Sequence, residues 1–166
     1  IYGWTGRVTN DWFPWAKAEL QKKGYEVFVP EMPEPDYPKI EPWIAKIKET
    51  VGESRPDDIL VGHSMGCQGV LRYLQTLQEG VQIEKVILIA GFEKLKEAAF
   101  EVPEDRVIFK PWSEAPIDYP KIKKMVGSWI AVFSDDDPVV PYEENAEIFK
   151  ENLGAKIILE KGMGHF

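Results

Sequence analysis

The chain has a single cysteine, Cys67, among its 166 residues. No intrachain disulfide can form, so the fold must rest on its own core. Histidine is nearly as scarce: only His63 and His165 are present. Positive charge is in deficit, with 20 Lys and Arg against 28 Asp and Glu and a formal net charge of −8. A field of that sign repels a polyanion, which argues against nucleic acid as a partner. No run approaches the ~20 apolar residues of a membrane span, so no membrane partner is expected. Repeats, low-complexity tracts and interdomain linkers are missing too. The chain begins at Ile1 rather than a methionine, which leaves a leader ahead of it open.

Hydrophobic residues make up 44% and charged residues 29%, the ordinary balance of a water-soluble globular protein. At this length residues 1–166 read as one domain with a proper core, and the expected location is the cytoplasm. Oligomeric state leaves no signature.

Short apolar runs alternate with amphipathic ones. Glu26–Val29, Ile59–Val61, Val86–Ile89, Trp129–Phe133 and Lys156–Leu159 read as strands, with Ile1-Tyr2 as the end of a further one. All but the last of the five are nearly continuous in apolar residues, the signature of parallel strands buried on both faces. Helices are expected over Asp11–Lys23, capped by Asn10 or Asp11 and closed by Gly24, and over Pro38–Glu53, Gly66–Leu77 and Pro141–Leu153. Strand–helix alternation implies βαβ units and a three-layer α/β/α sandwich. Phe92–Gly127 is the least regular stretch, with a short helix over Pro120–Met125; it either packs as a surface connection or overhangs a site.

Gly62-His63-Ser64-Met65-Gly66 follows the Asp58–Val61 run and precedes the Cys67–Leu77 stretch. Strand, G-x-S-x-G, helix is the context of a nucleophile elbow. The turn strains the serine backbone and leaves no room for side chains at Gly62 and Gly66. It lifts the Ser64 hydroxyl above the sheet edge and frees the Met65 N–H to donate to an oxyanion. A serine nucleophile needs a base, and the base needs an orienting acid. His63 sits inside the elbow and reads as a packing or turn residue pointing away from Ser64. His165, flanked by Gly164 on a loop after the last strand, is the expected base. The acid should come from Asp135-Asp136-Asp137, directly after the Trp129–Phe133 strand. Asp137 is preferred because D-P-x-V-P sets an acid at the strand end and a proline before the next helix; Asp136 follows, then Asp135. The second oxyanion donor should be the Trp4 N–H, with Thr5 as the alternative, on the Gly3–Gly6 loop. Trp4, Met65, Trp12, Trp112 and Phe109 could line an apolar pocket suited to short acyl esters, with Trp112, Phe109 and Trp12 as the expected substrate contacts.

Other chemistries fit less well. The Gly62, Gly66, Gly69 spacing suggests a nucleotide loop, but it follows the wrong strand and the next one lacks an acidic ribose partner. Two histidines and one cysteine leave the three aspartates short of ligands for a metal site. No metal or cofactor is therefore expected. The serious alternative to an enzyme is an interaction module that has kept the fold.

Several landmarks together carry a family resemblance: Gly3-Trp4-Thr5-Gly6, Asp11-Trp12-Phe13 through Gly24, Met32-Pro33-Glu34-Pro35, Gly62-His63-Ser64-Met65-Gly66, Pro111-Trp112, Asp136-Asp137-Pro138 and Gly164-His165-Phe166. The chain resembles the retinoblastoma-binding-protein-nine and YdeN-like serine hydrolases of the α/β-hydrolase superfamily. The resemblance implies a core of about six parallel strands with little or no cap, and a triad of Ser64, Asp137 and His165. It implies hydrolysis of a small-molecule acyl substrate. It further implies that the first strand starts before Ile1 and that a final helix follows Phe166. Tyr2-Gly3 replaces the family's His-Gly pair, which affects a side chain but not the backbone donor. The L-x-C-x-E segment by which the animal member binds a pocket protein is missing, so that partner is not carried over.

Overall fold

Four of the apolar runs become strands, and each strand after the first is reached by a helical crossover. The computed structural model describes all residues, Ile1–Phe166. Its strands are β1 (Ile59–His63), β2 (Ile83–Ile89), β3 (Val126–Ser134) and β4 (Lys156–Glu160). They form one sheet in the order β1-β2-β3-β4, parallel throughout. The helices are α1 (Phe13–Lys22), α2 (Ile40–Val51), α3 (Met65–Thr76), α4 (Pro103–Glu114), α5 (Tyr119–Met125) and α6 (Tyr142–Leu153). Helix α3 links β1 to β2, α4 and α5 link β2 to β3, and α6 links β3 to β4.

The sheet has four strands, not about six. An extended segment becomes a strand only when a neighbour accepts its hydrogen bonds. Glu26–Val29 has no such neighbour and forms no strand, with Phe28 exposed. Ile1 does lie against β1, donating to Val61 O at 2.6 Å and accepting from His63 N at 2.9 Å. That single residue does not make a strand.

Helix α3 packs beside α2 and α5, and α5 beside α6, so these form one layer. Under it lie Val86, Leu88, Trp129, Ala131 and Phe133, all buried. The alternate residues Ile87, Ile89, Ile130 and Val132 are only half-buried. The strands are thus covered fully on one face, where burial on both was expected. The core nevertheless runs as one connected cluster from Tyr2 to Ala155.

Helix ends show where local chemistry decides. Helix α1 starts at Phe13, with Trp12 rather than Asn10 or Asp11 at its N-cap and no side-chain cap bond. Gly154 closes α6 in the left-handed conformation, φ 70°, which glycine adopts without strain. Asp118 caps α5 by accepting from Lys121 N at 3.0 Å. Helix α4 was not expected, because prolines punctuate its sequence. Pro103 falls within its first turn, where a missing N–H costs nothing. Pro111 lies inside it, yet Trp112 is buried and anchors the final turn.

Candidate active site

Three loops leave the carboxyl edge of the sheet after β1, β3 and β4. That edge is where parallel sheets with helical crossovers place their sites. The first loop carries Ser64, the second Asp135–Asp137, the third His165.

Ser64 sits between β1 and α3 with φ 51° and ψ −121°. A non-glycine residue there stores roughly 1–3 kcal/mol of strain. The surroundings force the turn. A Cβ on Gly62 would lie 2.7 Å from Cys67 Cα, and one on Gly66 only 2.3 Å from Ile1 O. The Ser64 N–H donates to Ile89 O at 2.9 Å, which pins the turn to the next strand.

His165 Nε2 lies 2.9 Å from Ser64 Oγ, and His165 Nδ1 lies 2.8 Å from Asp137 Oδ2. Asp137 is 3% exposed. Burial opposes its ionisation. Hydrogen bonds from His165 and from the Val140 and Val139 N–H groups outweigh that and hold its pKa below the usual carboxylate value. The other two acids of the run hold backbone instead. Asp136 Oδ1 accepts from Ser134 Oγ at 2.7 Å and Gly164 N at 2.8 Å. Asp135 Oδ1 accepts from Gly162 N at 2.9 Å. The three carboxylates therefore do different jobs, and no three His, Cys, Asp or Glu side chains are grouped to hold a metal ion.

Two backbone N–H groups flank Ser64 without acceptors. Met65 opens α3, so its N–H has no intrahelical partner. The Trp4 N–H is free as well. Thr5, the alternative donor, is committed: its N–H donates to Pro35 O at 2.9 Å. Gly3 brings this loop against the serine, where a Cβ would lie 2.9 Å from Ser64 Cβ.

A hollow of about 400 Å³ opens at Ser64. Trp4, Phe13, His63, Met163 and Phe166 line it, together with the polar Asn10 and Asp11. The three aromatics expected as substrate contacts lie elsewhere. Trp112 is buried against Trp43, and its Nε1 donates to Pro38 O at 3.0 Å. Phe109 lines a separate surface hollow with Phe100 and Arg106. Trp12 stacks on Phe13 with ring centroids 4.2 Å apart, one layer behind the lining. Sequence reasoning missed Phe13 and Met163 as lining residues. Met163 had a signal, standing two residues before His165 on the same loop.

His63 is buried and edges against Trp12 and Phe13, but its ring does not point away from the site as expected: it lies 5.2 Å from the His165 ring, centroid to centroid. It also lines the hollow and contacts His165 O through Nε2 at 2.9 Å. Burial pushes the Cys67 thiol up to about 12, so the residue three along from Ser64 remains a thiol and no rival nucleophile.

A family model described as Serine hydrolase matches residues 1–166. YdeN of Bacillus subtilis is 29% identical over 166 residues, covering 100% of this chain and 83% of its own. The serine hydrolase RBBP9 of Rattus norvegicus is 25% identical over 160 residues, 96% of this chain and 80% of its own. The crystal structure of the Bacillus subtilis ydeN product superposes with a TM-score of 0.86 at 27% identity, covering 99% of this chain and 84% of that one. The architecture is thus α/β-hydrolase-like. No helix is long and apolar enough to cross a membrane.

Proposed function

This chain belongs to the serine hydrolase family, and from that premise we propose that it cleaves small acyl esters through an acyl-enzyme on Ser64. The observation that carries the reading is the relay Ser64 Oγ–His165 Nε2 at 2.9 Å and His165 Nδ1–Asp137 Oδ2 at 2.8 Å. As Oγ attacks the substrate carbonyl carbon, His165 Nε2 accepts the hydroxyl proton. Asp137 stays ionised, fixes the imidazole tautomer and stabilises the imidazolium. The carbonyl oxygen becomes an oxyanion that the Met65 and Trp4 N–H groups bind. Losing one such donor slows catalysis by about 10²–10³. The tetrahedral intermediate collapses, the alcohol leaves with the proton from His165, and Ser64 holds the acyl group. Water then attacks the acyl carbon, His165 takes its proton, and the acid is released with Oγ reprotonated.

The small hollow with Trp4, Phe13 and Met163 in its wall favours a short apolar acyl or alcohol group. A fluorophosphonate probe tests the reading, since it reacts covalently with an activated serine. Label on the wild type but not on Ser64→Ala is the expected result. An unlabelled, folded wild type would sink the triad and favour an interaction module.

A further inference from the structure

Strand β1 ends in His63, whose imidazole does more than fill space. Its Nε2 lies 2.9 Å from the main-chain oxygen of His165. A carbonyl oxygen can only accept, so His63 must carry its proton on Nε2. Burial pushes the His63 pKa down to about 4, against the bond to the His165 carbonyl that favours the charged form. The ring therefore remains the neutral Nε2–H donor at neutral pH. Trp12 and Phe13 meet it edge-on, with centroids 5.9 and 6.0 Å away, which fixes its plane.

Apart from the His165 Nε2–Ser64 Oγ contact itself, the loop after β4 is held from the β3 side. Asp135 binds Gly162 N, Ser134 Oγ binds Met163 N, Asp136 binds Gly164 N and Asp137 binds His165 Nδ1. None of these bonds reaches the loop from β1, the strand that leads into Ser64. The His63 bond does. Both partners of the Ser64–His165 contact are thereby referenced to the same strand end, one through the chain and one through an imidazole.

We infer that His63 is a positioning residue that sets His165 Nε2 against Ser64 Oγ by holding the His165 main-chain oxygen from β1. The inference rests on the reading of His165 as the base for Ser64. With the carbonyl held from β1 and Nδ1 held from Asp137, neither backbone nor ring can shift alone. Removing the His63 donor frees the carbonyl side, and a shift of about 1 Å in such a group can slow a reaction by about a hundredfold.

The test separates donating from packing. Gln and Met have similar length and volume, but only Gln offers an N–H at the reach of Nε2. His63→Gln and His63→Met are compared with wild type for the rate of fluorophosphonate labelling at Ser64, with thermal melting as the folding control. In parallel, proton NMR follows the far-downfield Nδ1–H of His165 bound to Asp137. The expected result is His63→Gln within about fivefold of wild type, and His63→Met slower than His63→Gln by tenfold or more. The His165 resonance should be retained in His63→Gln and broadened or lost in His63→Met. Equal rates and equal resonances in the two variants would overturn the inference. If the wild type takes no label, the proposed function fails, and the NMR comparison still decides whether His63 holds His165.

Discussion

Asp136 Oδ1 accepts the Gly164 N–H at 2.8 Å, one residue before His165. The same oxygen is bonded by Ser134 Oγ at 2.7 Å, and these two bonds lower the Asp136 pKa in that order. An acidic run that looks redundant in the sequence is therefore a set of separate anchors for the loop that carries His165.

The anchors predict a graded response. Asp137→Asn should slow Ser64 acylation by about 10⁴, because an amide donor at that place selects the wrong imidazole tautomer. Asp136→Ala should slow it only about ten- to a hundredfold, by loosening the loop. Asp136→Asn retains an acceptor oxygen and should fall between Asp136→Ala and wild type. Stopped-flow acylation with a chromogenic ester measures all three. Equal losses in Asp136→Ala and Asp137→Asn would mean that the assignment of the acid is wrong.

The choice among these aspartates marks where the sequence stopped being informative. Strand–G-x-S-x-G–helix pointed to Ser64 because the elbow is a local object, encoded by the crowding at Gly62 and Gly66. His165 followed from the scarcity of histidine. The D-P-x-V-P pattern favoured Asp137 over Asp136 and Asp135. How the turn after β3 aims each carboxylate, and that the other two hold the Gly162 and Gly164 N–H groups, is a property of the folded backbone. Non-local facts were illegible in the same way. Glu26–Val29 has strand composition but no partner. Trp112 has the composition of a pocket aromatic but is buried against Trp43. Helix α4 was hidden by Pro103 and Pro111, since a proline reads as a breaker unless its place in the helix is known.

Acidity should destabilise this protein earlier than its carboxylates alone would require. The folded His63 pKa is lowered to about 4, against about 6.5 for an unfolded histidine. Between those values the unfolded chain binds a proton that the folded chain does not, so stability rises with pH across that window. It is full above about pH 6.5 and is lost as pH falls toward 4, by about 3 kcal/mol in all. Asp137 adds a second loss at lower pH, because its folded pKa is depressed and its contribution vanishes as it protonates. Urea unfolding from pH 4 to 7 measures the slope. His63→Phe should flatten it between pH 4 and 6.5. An unchanged slope in that variant would count against a neutral, buried His63.

Space beside Ser64 is as constrained as its hydrogen bonds. A Cβ on Gly3 would stand 2.9 Å from Ser64 Cβ and 3.4 Å from Oγ. Gly3→Ala must push the serine or the Trp4 loop outward by a few tenths of an ångström. The Trp4 N–H would move with it, so acylation should slow by about ten- to a hundredfold. Secondary structure should be retained, since the crowding is confined to that loop. Circular dichroism alongside ester turnover checks both halves. Full activity in Gly3→Ala would show that the Trp4 N–H is no part of the oxyanion site.

Asn145 ties the loop after β2 to the start of α6. It is fully buried. Its Oδ1 accepts from Glu93 N at 2.7 Å and Lys94 N at 3.0 Å, while its Nδ2 donates to Lys94 O at 3.0 Å and Pro141 O at 2.7 Å. All the hydrogen-bonding capacity of one amide is spent on main-chain groups. Asn145→Ala should destabilise the fold by about 2–4 kcal/mol, because it strands several part-buried polar groups together. Asn145→Asp keeps the volume but sets a carboxylate oxygen against the Lys94 and Pro141 carbonyls, so it should be no milder. The adjoining Lys96 also reaches Asp137, donating from Nζ to its main-chain oxygen at 2.6 Å. Loosening this junction should therefore slow Ser64 acylation even at temperatures where the variant is fully folded. Melting curves and acylation rates at 10–20 °C below the midpoint separate the two effects. A variant that is less stable yet acylates at the wild-type rate would show that the loop after β2 supports the fold without helping to place Asp137.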